Sequence, residues 1–324
     1  MGYRMWRKSG PILPTEGKRG FFDISYGESE AQKLDIWLPE GEGPFPVIIS
    51  IHGGGFVACG KRQKDMTAPM LEGLKKGFAV AALNYRLADE AVFPEPVKDI
   101  KQAIRFLKAN APIYRLKPDQ MAAWGGSAGG YMALMACLFA DDPYYDQELD
   151  PNLHVSAQIA GGVAWYPLTD MASCDEELAV NSVVNRYFRK EVTDVCVEYE
   201  PAVPMTLESE FPFYNREGWL TRFLGCPVDS GDETVRKASP LYAVHDHMPP
   251  VLIQHGSGDE IVPMQQSIRF ALYANTCCGE ERVTVEILPN AVHSSVLFET
   301  KENLERVFAF ISDILEIRES AAER

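Results

Sequence analysis

The chain has 324 residues, 46% of them hydrophobic and 24% charged, with a formal net charge of −15. This composition describes one large globular domain or two ordinary ones and excludes disordered and collagen-like chains. The acidic excess repels phosphate backbones and anionic bilayers, which argues against nucleic acid or a membrane surface as partner.

Met1 to Gly20 carries Arg4, Arg7 and Lys8 but no apolar core with a small-residue cleavage site, so it does not read as a secretory signal. No apolar run approaches the ~20 residues that a bilayer span needs. The seven cysteines (59, 137, 174, 196, 226, 277 and 278) are scattered without metal-type spacing, and adjacent Cys277-Cys278 does not readily close a disulfide. Unpaired thiols without an export signal predict a reducing, cytoplasmic setting.

In chain order, Phe21 to Tyr26 and Lys33 to Leu38 read as an opening antiparallel pair, the second alternating Leu34, Ile36, Leu38. Pro46 to His52, Val80 to Tyr85, Met121 to Trp124, Ala157 to Trp165 and Pro250 to Gln254 are continuous apolar runs, as strands covered on both faces require, and Val283 to Leu288 reads as the last strand. Between them lie amphipathic stretches. Met66 to Lys76 is closed by Gly77; Val97 to Ala109 places Val97, Ile100, Ala103, Ile104 and Leu107 on one stripe; Gln265 to Ala274 and Asn303 to Ile317 follow. This alternation predicts an α/β chain with a mostly parallel, doubly wound sheet.

Ala172 to Lys237 breaks the pattern. It is partly acidic and rich in exposed-looking aromatics, including Tyr187, Phe188, Tyr199, Phe211, Phe213, Tyr214, Trp219 and Phe223. An insertion this long without strands is often a lid, so residues 172–237 are expected to form a helical cap over a catalytic domain made of 1–171 and 238–324. A peripheral decoration or an oligomer contact is the alternative.

Gly125-Gly-Ser127-Ala-Gly129 follows one apolar run and precedes a helical stretch. This is G-x-S-x-G in the strand-to-helix setting that lifts a serine onto a tight turn, with glycines on either side removing the clashing β-carbons. Serine is a weak nucleophile at neutral pH and needs a base. Of six histidines, His52 opens a glycine run, and His154, His245 and His247 precede strands at the opposite sheet end. His255 shares a strand tip with Asp259, and one short tip is unsuited to offering both partners. His293, in the loop after the last strand, remains. Asp259 is expected to orient it, ahead of Glu260 and Asp170, because it gives the chain order Ser, Asp, His at successive strand ends.

His52-Gly53-Gly54-Gly55-Phe56 ends another strand and offers bare amides, which with the amide of Ala128 would receive a developing oxyanion. Gly55 to Lys61 also matches seven positions of a phosphate-binding loop, but Arg62 stands where Ser or Thr is required.

With His52-Gly-Gly-Gly-Phe56, Asn84-Tyr-Arg-Leu87, Phe93-Pro94, Gly125-Gly-Ser127-Ala-Gly129, Asp259 and His293 in this order, the chain resembles the α/β-hydrolase esterases. It is similar above all to the hormone-sensitive-lipase-like and BD-FAE-like carboxylesterases, over roughly Lys33 to Met171 and Ser239 to Ile317. The resemblance implies a serine esterase with Ser127, Asp259 and His293 as triad and Gly54, Gly55 and Ala128 as oxyanion donors. It implies a small-molecule ester as substrate, with neither metal nor cofactor required. Phe56, Phe213 and Trp219 are expected at the substrate, and acetyl or compact aromatic acyl esters are the expected substrates. A homodimer is allowed for. An amidase or arylformamidase with the same triad, or a non-catalytic binding protein on this fold, are the rival readings.

Overall fold

A computed structural model describes residues 11–140, 142–188 and 218–317. Eight strands form one sheet: β1 (Gly20–Ser25), β2 (Lys33–Trp37), β3 (Phe45–Ile51), β4 (Ala79–Leu83), β5 (Leu116–Gly126), β6 (Gly161–Trp165), β7 (Val251–Gly256) and β8 (Val283–Leu288). Their spatial order is β1-β2-β4-β3-β5-β6-β7-β8. The β1–β2 and β2–β4 pairs are antiparallel and all later pairs parallel. Every residue of β3, β4, β6 and β7 is buried, which is why these segments read as largely apolar runs.

The helices are α1 (Lys64–Leu71), α2 (Glu95–Ala109), α3 (Ala111–Tyr114), α4 (Ala128–Leu138), α5 (Cys174–Phe188), α6 (Trp219–Leu224), α7 (Glu233–Lys237), α8 (Gln265–Cys278) and α9 (Lys301–Ile314). They cover both faces of the sheet. Ile100, Ile104 and Leu107 of α2, the whole of α4 and Phe270 of α8 join one core. Met70 of α1 with Val307, Phe308 and Ile311 of α9 join the other. Helix α4, apolar on every side, is buried at all eleven positions.

Two boundaries differ from the sequence expectation. The stretch expected as one helix over Met66 to Lys76 is α1 followed by a tighter 3-10 turn, Glu72–Lys76, stopped by Gly77 at φ 85°. Strand β5 begins at Leu116, not Met121, because Leu116 pairs with Phe45 before the register jumps to Met121 opposite Val47. The intervening Lys117-Pro-Asp-Gln120 is polar and hides the extension.

The described part of the expected cap holds α5, α6 and α7. Phe223, expected among the exposed aromatics, is instead fully buried. Its ring stacks on Phe56 with centroids 3.9 Å apart, and its carbonyl accepts the Phe93 amide at 2.7 Å. An ion pair from Arg222 to Asp89 ties the same helix to the domain beneath. Phe213, Tyr199, Phe211 and Tyr214 lie outside the described residues.

Candidate active site

Parallel registers set the ends of five strands side by side. Ile51 of β3 is level with Gly125 of β5, Gly126 of β5 with Trp165 of β6, and Gly256 of β7 with Leu288 of β8. The loops leaving these carboxyl ends carry the expected residues: Gly53 to Gly55 after β3, Ser127 after β5, Asp259 after β7 and His293 after β8.

Ser127 sits at φ 57°, ψ −125°, a conformation that side-chain-bearing residues rarely adopt. It is held there from three directions. Its amide donates to the Trp165 carbonyl at 2.9 Å, and its carbonyl accepts the Tyr131 amide at 2.9 Å, the first turn of α4. A β-carbon on Gly129 would stand 2.1 Å from the Ile51 carbonyl oxygen, and one on Gly125 2.3 Å from the Gly129 oxygen, so β3, the turn and α4 approach more closely than any methyl group permits.

His293 Nε2 lies 2.9 Å from Ser127 Oγ, and His293 Nδ1 lies 2.8 Å from Asp259 Oδ2. A carboxylate only accepts, so Nδ1 carries the proton and Nε2 is left to accept the serine hydroxyl hydrogen. Asp259 is 3% exposed, and its other oxygen accepts the amides of Ile261 and Val262, both at 2.9 Å. Burial alone would raise the Asp259 pKa, but the charge and hydrogen bonds of His293 and His255 outweigh it and hold the carboxyl far below its ordinary range. Asp259 is therefore ionised wherever the imidazole is needed as a base.

The other acidic candidates are engaged elsewhere. Asp170 pairs with Arg269 at 2.9 Å, and Glu260 is exposed.

Beside the serine, Gly53 packs so that a β-carbon there would be 2.7 Å from the Gly126 carbonyl and 3.4 Å from Ser127 Cβ. The next residue, Gly54, has φ 105° and accepts the amides of Val57 and Ala58 at 3.1 Å in a tight turn. Among the described residues, no acceptor takes the amide hydrogens of Gly54, Gly55 or Ala128. Ala128 opens α4, where the N–H groups have no partner within the helix and favour negative charge. Three amides without an acceptor among the described residues, close in sequence to a hydroxyl–imidazole–carboxylate row, are the donors on hand for an oxyanion if the hydroxyl adds to a carbonyl.

His52, at the root of this turn, is 2% exposed, stacked on Tyr85 at 4.5 Å, and donates from Nδ1 to the Gly53 carbonyl at 2.8 Å. Burial pushes its imidazole down to about 4 from the usual 6.5. The native state holds it neutral, so below pH 6.5 the unfolded chain takes up a proton that the folded chain refuses. The stability this contributes is complete above pH 6.5 and is lost as pH falls toward 4. By linkage the loss amounts to about 3 kcal/mol, measurable as a falling urea midpoint between pH 7 and pH 4 that flattens in His52→Asn.

Trp219, from α6, lies over the same turn: a β-carbon on Gly55 would be 3.4 Å from its ring. Phe56 does not join it at the surface. Expected against substrate, Phe56 is 1% exposed, sandwiched by Phe223 and meeting Tyr131 edge-on at 5.1 Å. Phe56 has a positive φ of 64°, and its side chain lies in the core, while Gly53 packs against Ser127 Cβ. Lys61, the lysine of the phosphate-loop match, is held by Asp23 at 2.7 Å and Asp35 at 3.2 Å and has no free charge to offer a phosphate.

Tyr166 was not singled out in the sequence. It follows β6 directly, and its ring packs 4.6 Å from that of His293 and 4.7 Å from Phe298, walling one side of the imidazole. Its position one step beyond a buried strand, beside the four strand ends that carry the other residues, was the available signal.

Comparison with known proteins bears on the family and the fold. The BD-FAE family model matches residues 34–213 and 205–273. The chain is 27% identical to esterase LipQ of Mycobacterium tuberculosis (strain ATCC 25618 / H37Rv), over 90% of this chain and 61% of that protein. It is also 27% identical to the same organism's probable carboxylic ester hydrolase LipM, over 76% of this chain and 50% of that one. The chain thus spans about half to three fifths of the length of these relatives. Among solved structures, a truncated form of a carbohydrate esterase from gut microbiota superposes with a TM-score of 0.74 at 21% identity, covering 94% of this chain and 100% of that one. A thermophilic esterase from Thermogutta terrifontis gives a TM-score of 0.67 at 19% identity, covering 96% of this chain and 97% of that one. At these identities the structures speak for the fold, which is the α/β-hydrolase fold expected from the motifs. The family match runs from β2 to β7 and takes in the serine turn and the Asp259 loop, and the chain belongs to the BD-FAE family.

Proposed function

We propose that the protein is a serine carboxylic ester hydrolase with Ser127 as nucleophile, His293 as general base and acid, and Asp259 as the carboxylate that fixes the His293 tautomer. The observation that carries this is the continuous row from Ser127 Oγ to His293 at 2.9 Å and on to Asp259 at 2.8 Å. In the first half-reaction Ser127 Oγ bonds to the acyl carbon while its proton passes to His293 Nε2. The carbonyl oxygen, now negative, takes hydrogen bonds from the amides of Gly54, Gly55 and Ala128. The ester C–O bond then breaks, the alcohol leaves with the proton from His293, and an acyl group remains on Ser127. Water repeats the sequence and frees the acid.

Residues 172–237 act as the cap in this reading. Trp219 stands where the acyl or alcohol group leaves the oxyanion turn, which favours acetyl and compact aromatic acyl esters over long chains. The names of the relatives, esterases and a carboxylic ester hydrolase, support the reaction class.

Hydrolysis of p-nitrophenyl acetate by the purified protein, measured with Ser127→Ala alongside, tests the assignment. Trp219→Ala is expected to change the ratio of kcat/KM between acetyl and octanoyl esters by about 10-fold, since reshaping an apolar wall is worth ~1–3 kcal/mol of discrimination. Equal loss on both esters would mean that the indole only supports the turn.

A further inference from the structure

We infer that the hydrogen-bonded row does not end at Asp259: His255 and Ser267 continue it, and His255 is a positioning residue that acts through the Asp259 carboxylate. This deepens the esterase reading above and rests on it.

His255, near the end of β7, is completely buried, as are Ser267 in the first turn of α8 and, nearly so, Asp259. The His255 ring has a buried polar partner at each nitrogen. Nε2 lies 2.8 Å from the Val262 carbonyl oxygen and 3.4 Å from Asp259 Oδ2, the same oxygen that receives His293. Nδ1 lies 2.6 Å from Ser267 Oγ. A carbonyl can only accept, so the hydrogen is on Nε2, and in the neutral ring Nδ1 accepts from the Ser267 hydroxyl. Ser267 thereby selects the tautomer, and the Nε2 hydrogen is shared between Val262 and Asp259. Val262 closes the loop from the other side, giving its own amide to Asp259 Oδ1 at 2.9 Å. One imidazole therefore pins both the carboxylate and the backbone that grips it, so that Asp259 presents Oδ2 to His293 in a single orientation. β7 holds a second buried polar residue, Gln254, but its amide bonds Trp165, Glu286 and Asn303 and takes no part in the row, so His255 is the strand residue that serves Asp259.

Removing the Nε2–H has a signed electrostatic consequence. Asp259 loses a donor that draws charge from Oδ2, the carboxylate becomes more basic, and the protonated form of His293 is favoured. The acid limb of the kcat/KM profile then moves to higher pH. The other ionisable groups that feel this row are Tyr166 and Cys174, with Asp65, Asp170, Asp175, Glu177 and Glu299 behind them. Burial pushes the Tyr166 phenol and the Cys174 thiol upward, so both stay neutral through the assay range, and all of these groups are unchanged in the variants.

The test compares His255→Asn with His255→Gln, with kcat normalised to fluorophosphonate-titrated sites. A glutamine amide reaches the Nε2 position and an asparagine amide only the Nδ1 position. His255→Asn is expected to lower kcat about 10- to 100-fold, as loss of an outer hydrogen-bonded partner does elsewhere, with KM changed less than about twofold and the acid limb moved upward. His255→Gln is expected to restore most of the rate and the wild-type limb. Equal losses in both variants with an unmoved limb, or full activity in His255→Asn, would overturn the proposal. If His255→Asn does not fold, Ser267→Ala decides: a smaller fall in kcat with the limb displaced in the same direction supports the extended row, and an unmoved limb refutes it. Wild-type turnover abolished by Ser127→Ala keeps the esterase reading intact whatever these variants do; absence of wild-type turnover removes that reading instead.

Discussion

Turnover of p-nitrophenyl acetate in Ser127→Ala falls by about 10⁵- to 10⁶-fold, because members of a hydroxyl–imidazole–carboxylate row act as a unit and loss of the nucleophile removes the whole covalent route. On the proposed mechanism, what survives is the contribution of the amides at Gly54, Gly55 and Ala128, which would still polarise a bound carbonyl toward water. The fold survives as well, since among the described residues the Ser127 side chain bonds only His293, while the strained turn is held by its backbone and by close packing at Gly125 and Gly129. The expected record is an unchanged melting temperature, loss of fluorophosphonate labelling, and initial rates near background. Wild-type rates in this variant would end the assignment.

Asp259→Asn is expected to lower kcat by about 10⁴-fold with little change in KM, through the tautomer of its neighbour. Ile261 and Val262 each direct an amide hydrogen at Oδ1, so the asparagine oxygen settles there and its NH2 group takes the place of Oδ2. His293 Nδ1 then meets a donor and must accept, which moves the imidazole hydrogen to Nε2, where it blocks removal of the Ser127 proton. His255 Nε2 meets the same donor. In the wild type the carboxyl is held far below its ordinary range, so its own protonation does not shape activity above about pH 4. A pH–rate profile of the wild type with an acid limb due to one group, set beside a deep uniform loss in Asp259→Asn, checks both halves.

The sheet was legible because burial on two faces favours apolar residues: β3, β4 and β6 and the first half of β7 could be read directly as apolar runs, with Ser50, Gln254 and His255 as the buried polar exceptions. The serine turn was legible because its geometry tolerates few residue types at Gly125 and Gly129. His293 emerged from the positions of the other histidines relative to strand ends. What could not be read was direction and contact across strands. Phe56 and Phe223 look like surface aromatics beside a glycine run and in a cap, yet they stack on each other inside the core, since spacing along the chain does not say which way a loop residue turns. His255 was set aside because it shares a strand tip with Asp259; the same adjacency, four residues apart, is what lets its ring reach the carboxylate. Tyr166 depends on β6 lying between β5 and β7, a fact of topology that no local pattern contains.

His293 is delivered by β8, and β8 is the outermost strand, paired on one side only with β7. Ser127 comes from β5, the fifth strand counted from the β1 border, flanked on both sides by β3 and β6. The imidazole and the hydroxyl it must serve are therefore anchored in regions of unequal tenacity, since border strands open more readily than interior ones. Warming should disable hydrolysis through fraying at the β8 border before the whole domain melts, and amide exchange in Val283–Leu288 should quicken at the temperature where the rate begins to fail.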